Sequence, residues 1–78
     1  MKMHAVARQL IETHGPILEA MIAEARNRGA SQAQLEGLLD DALERIRDGA
    51  ALYMKTKFVD QVMVELERAF RQQLRKQH

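Results

Sequence analysis

Ala25-Arg26-Asn27-Arg28-Gly29-Ala30-Ser31-Gln32-Ala33-Gln34-Leu35 marks a corner in this chain. Gly29 suits the residue just past a helix end, where the backbone turns left-handed and a Cβ would clash. Two residues on, Ser31 and Gln34 have the spacing of a capping box. The serine hydroxyl and the glutamine amide each satisfy a backbone N–H that a first helical turn leaves open. One helix therefore ends near residue 28, and another begins after Ser31.

Upstream of the corner, Met3, Val6, Leu10, Ile17 and Met21 fall within about 60° of one another at helical pitch, with Ala25 about 40° further round on the same stripe. Ile11, Leu18 and Ile22 lie beside them. Gly15-Pro16 interrupts this stripe. Proline inside a helix removes a hydrogen bond and crowds the carbonyl four residues back. At the first helical position it is favourable instead. A kinked helix and two nearly collinear helices both fit; the preferred reading is two, over residues 3–14 and 16–28.

Downstream, Leu35, Leu38, Leu39, Ala42, Leu43 and Ile46 share a face, with Gly37, Asp40, Asp41, Glu44 and Asp48 opposite. Ala50 and Tyr53 keep that phase. From Phe58 onward the apolar set is Val59, Val62, Met63, Leu66, Ala69, Phe70 and Leu74, centred roughly 200° away. One unbroken rod would show opposite faces in its two halves. A break within residues 48–57 removes the conflict, leaving a last helix over about 57–76. Its Arg71, Arg75 and Lys76 complement the negative end of the helix dipole.

Composition agrees with this reading. Good helix formers dominate, with one proline and four glycines in 78 residues. The expected fold is all-α: a single helical domain over residues 1–78, a small bundle of three to four helices. A chain this short buries only about 60–65% of its unfolded surface. Cysteine is absent, which removes disulfides, thiolate zinc sites and a cysteine nucleophile together. Dimerisation is the expected way of completing the core. No apolar run reaches the ~20 residues of a membrane span, and no signal-peptide core is evident. The expectation is a cytoplasmic protein with no membrane partner.

Little in the chain suggests catalysis. His4, His14 and His78 lack any paired metal-ligand spacing, and no glycine-rich phosphate loop occurs. His14, beside Gly15-Pro16, reads as a half-buried ring bonded to a freed carbonyl. Serine and threonine are limited to Ser31, Thr13 and Thr56. The expectation is a non-enzymatic chain with no catalytic residue, metal, cofactor or small-molecule ligand.

A protein partner is the expected ligand, either a second copy or a larger protein that the chain adapts or inhibits. Val59, Met63, Leu66, Phe70 and Leu74 follow the 4-3-4-4 spacing of a short seam, out of phase with the preceding helix. They are the expected interface. Charge offers a second route. Residues 31–49 hold Arg45 and Arg47 against Glu36, Asp40, Asp41, Glu44 and Asp48; residues 50–78 hold six cations against three acids. Asp40, Asp41 and Glu44 could meet Arg68, Arg71 and Arg75 of a partner. The plainer reading is a solvated face with ordinary Asp41–Arg45 and Glu44–Arg47 surface pairs.

The alternative is a DNA-binding regulator. Ala25, Gly29 and Leu35 have the small–Gly–apolar spacing that resembles a helix-turn-helix corner, within residues 17–46. Arg26, Arg28, Gln32 and Gln34 would be its contacts, the glutamines suiting adenine edges. Arg28 occupies a position where that turn packs an apolar residue. The would-be reading helix is also acidic, a poor start against a phosphate backbone.

Overall fold

A computed structural model describes residues 3–76 as three helices: α1 (Met3–Asn27), α2 (Gln32–Ala51) and α3 (Thr56–Lys76). The all-α bundle expected from composition is thus the fold.

The corner forms as its residues dictate. Gly29 has φ +84°. Ser31 caps α2, its hydroxyl accepting from the Gln34 N–H at 3.2 Å while the Gln34 amide oxygen accepts from the Ser31 N–H at 2.8 Å. The expected break also occurs. Helix α2 stops at Ala51, and Leu52 to Lys55 carry the chain to the start of α3. The apolar phase consequently need not run on. Ala50 is buried as the last core residue of α2, whereas Tyr53, one turn later, is 87% exposed.

Gly15-Pro16 is a correction to the two-helix reading, because α1 runs through it unbroken. The physical reason lies in both residues. Proline normally pushes the preceding residue out of helical conformation by crowding its Cβ and N–H. Gly15 has no Cβ. The carbonyl deprived of its partner belongs to Glu12, an exposed residue. Pro16 itself is exposed.

Helix α3 is the centre of the molecule. It packs extensively on both α1 and α2, which approach each other least. The core joins Leu18 and Ile22 of α1, Leu35, Leu39, Leu43 and Ile46 of α2, and Val59, Met63, Leu66, Phe70 and Leu74 of α3. Among the described residues no polar or charged side chain is buried, and no buried side-chain N or O atom lacks a hydrogen-bond partner.

Gly15 is buried, and outside α1 a Cβ built there would meet Phe70 Cε1 at an ordinary 3.9 Å. The neighbour that decides is Pro16, whose ring crowds a Cβ on the residue before it in a helix. Gly15→Ala should therefore forfeit the ~0.5–1 kcal/mol that an interior glycine-to-alanine exchange normally gains and lower stability instead. A lower denaturation midpoint at an unchanged slope would verify it, and a raised midpoint would contradict it.

Candidate functional site

Five residues expected to form an interface lie elsewhere. Val59, Met63, Leu66, Phe70 and Leu74 are each 5% exposed or less, enclosed by α1 and α2 of the same chain. Their phase shift relative to α2 is what lets α3 turn back and fill the bundle. They are core residues, not a docking face.

What the fold leaves uncovered is the third side of the bundle, between α1 and α2. Because α3 takes the Leu18–Ile22 side of the α1 stripe, the other edge stays open: Ile17 is 60% exposed and Met21 39%. Opposite them α2 presents Leu38 and Ala42, both half-buried. Together with Leu18 and Ile46 these form a mainly apolar groove of about 300 Å³, with His14, Asp41 and Arg45 on its margins. Past Met21 and Leu38 a shallower trough continues to the corner, with Glu24, Arg28 and Gln34 among its lining. The sequence carried a signal for this site in the breadth of the α1 stripe, which exceeds what one neighbouring helix covers.

The groove's margins are polar in a particular way. Asp41 and Arg45 are exposed and one helical turn apart, yet form no ion pair among the described residues. The expected Asp41–Arg45 and Glu44–Arg47 pairs are both absent. Arg47 instead reaches across to Asp60 of α3, at 2.5 Å. His14 is half-buried, and its ring makes no hydrogen bond among the described residues, so the carbonyl bond expected for it does not form.

Of the charges expected to dock a partner, Asp40 and Arg71 meet within the chain. Arg71 bonds Glu67 at 2.9–3.0 Å and Asp40 at 2.8 Å, tying α3 to α2. Glu67 first and Asp40 second raise the guanidinium's pKa, so it stays charged. Glu44, Arg68 and Arg75 are exposed and form no ion pair among the described residues. Further inter-helix contacts join His4 to Glu65 (2.6 Å) and Gln73 to Glu19 (3.0 Å).

The residues of the DNA-binding alternative are largely engaged within the fold. Arg26 donates to the Leu74 carbonyl at 3.1 Å, satisfying one of the acceptors that the end of α3 leaves without an intrahelical donor. Arg28 pairs with Glu24 at 2.6 Å. The Gln34 amide oxygen belongs to the capping box. Gln32, the first residue of α2, is exposed.

Two further features complete the surface. Leu52, 78% exposed, and Tyr53 project from the α2–α3 turn. No group of three or more His, Cys, Asp or Glu among the described residues has a metal-binding arrangement. No described helix is long and apolar enough to cross a membrane.

The molecule is thus a three-helix bundle with one open apolar seam. No protein-family model matches the chain, and no curated protein or solved structure matches it.

Proposed function

We propose that this chain is a non-enzymatic interaction module, acting by burial of the α1–α2 groove against another protein surface. One observation carries the reading. Ile17 stands 60% exposed beside Met21, over a groove whose floor already reaches core residues Leu18 and Ile46. Fully burying a large apolar side chain contributes about 1.5–3 kcal/mol before ordering costs. A contiguous apolar seam with a polar margin is the pattern of a recognition surface rather than of scattered exposed residues. The groove lacks a convergent set of nucleophile, base and oriented donor, which an enzymatic reading would need. DNA binding through the corner has less support, since Arg26 and Arg28 are engaged within the chain.

A photoreactive residue at position 21, compared with one at exposed position 72 on α3, tests the proposal. Protein adducts of defined mass are expected from position 21 alone, and Ile17→Lys should abolish them. Equal labelling from both positions, or none from either, would contradict it.

A further inference from the structure

We infer that the α1–α2 groove is occupied by the same groove of a second copy, in an antiparallel two-fold arrangement; this rests on the groove being the interaction surface. The argument starts from Asp41 and Arg45. They line the groove, have opposite charge, stand one turn apart, and do not pair with each other. In a two-fold interface each contact occurs twice, with the same patch on both sides. Antiparallel packing of α2 on α2, centred near residue 43, sets Asp41 of each copy opposite Arg45 of the other. The arrangement thereby gives both unpaired charges a partner.

Helix α1 is self-complementary in the same sense. An antiparallel register centred near residue 19 sets Ile17 opposite Met21, and His14 opposite Glu24. All four line the continuous groove. A single two-fold axis must serve both seams. Met21 lies across the groove from Leu38 within one chain, so the two centres differ in level by less than a helical turn of about 5.4 Å. Flexible Met and Arg side chains absorb an offset of that size. The product is a four-helix seam of α1, α2 and their symmetry mates, with each α3 outside it. The molecule measures 40 × 19 × 16 Å. Its long face is therefore of the order of the ~800 Å² per partner that stable interfaces bury.

Charge exchange on the full-length chain tests this geometry by sedimentation equilibrium. Asp41→Arg places two arginines opposite each other across the axis, and Arg45→Asp places two aspartates. Each variant alone should dimerise at least ~tenfold more weakly than the parent, with a helical circular-dichroism spectrum like the parent's. Mixed in equal amounts, they should form a heterodimer within about threefold of the parent's affinity, because every cross-axis pair is again opposite in sign. Variants that dimerise like the parent, or a mixture no tighter than its components, would overturn the arrangement. A parent chain that stays monomeric while position 21 still forms adducts with a different protein would overturn the second copy alone. Loss of both association and adducts would overturn the groove reading as well.

Discussion

Phe70→Ala should cost about 3–5 kcal/mol, the largest loss expected from truncating any single side chain here. Phe70 is 1% exposed, sits in the core shared by all three helices, and has its ring edge facing Gly15. No side chain at position 15 can move in to fill the space, because glycine has none. The cavity would then stay open, and the cost of such truncations grows with residual cavity volume. A domain of this size has roughly 4–12 kcal/mol of stability in all. The variant should lose much of its cooperative transition near physiological temperature. Thermal unfolding followed by circular dichroism measures it. A shift of only a few degrees would mean that Phe70 is not the keystone its burial indicates.

Pro16→Ala should act in the opposite direction. An interior proline costs a helix about 3 kcal/mol through its lost N–H and its clash with the preceding turn. Two features reduce that cost here: Gly15 relieves part of the crowding, and the exposed setting of Glu12 gives its carbonyl access to water. Proline also stiffens the unfolded chain, an effect worth about 0.4–1 kcal/mol that alanine gives up. A net gain of about 1–2 kcal/mol remains. Denaturant titration should show a higher midpoint at constant slope. A lower midpoint would indicate that α1 needs the irregularity, for instance to curve around α3.

These two residues also mark where the sequence could be read and where it could not. Short-range chemistry was legible. Gly29, Ser31 and Gln34 act within a few residues of one another, so their pattern places the corner directly. The break before α3 was legible from the phase conflict alone. Pro16 was harder, because its local preference is overridden by a neighbour lacking a Cβ and by packing over the whole of α1.

The groove was hidden for a different reason. Periodicity identifies which side chains are apolar, not which neighbour covers them. Val59, Met63, Leu66, Phe70 and Leu74 carry the strongest apolar stripe, and that strength is what buries them at the centre. The weaker edge, Ile17 and Met21, is what remains outside. Arg26 illustrates the same limit. Its acceptor, the Leu74 carbonyl, lies 48 residues away, and nothing local in Ala25 to Leu35 indicates it.

Two methionines provide internal probes of the central claim that α3 closes the core and a second copy covers the groove. Met63 is 5% exposed beneath α1 and α2, whereas Met21 lies on the groove. With methyl-labelled methionine, NMR spectra recorded from millimolar to micromolar chain concentration report on both sites at once. The account predicts that the Met21 methyl resonance moves on dilution as particle mass falls from two chains to one, while Met63 stays in place. A Met21 resonance that ignores concentration, or a Met63 resonance that moves in its stead, would contradict it.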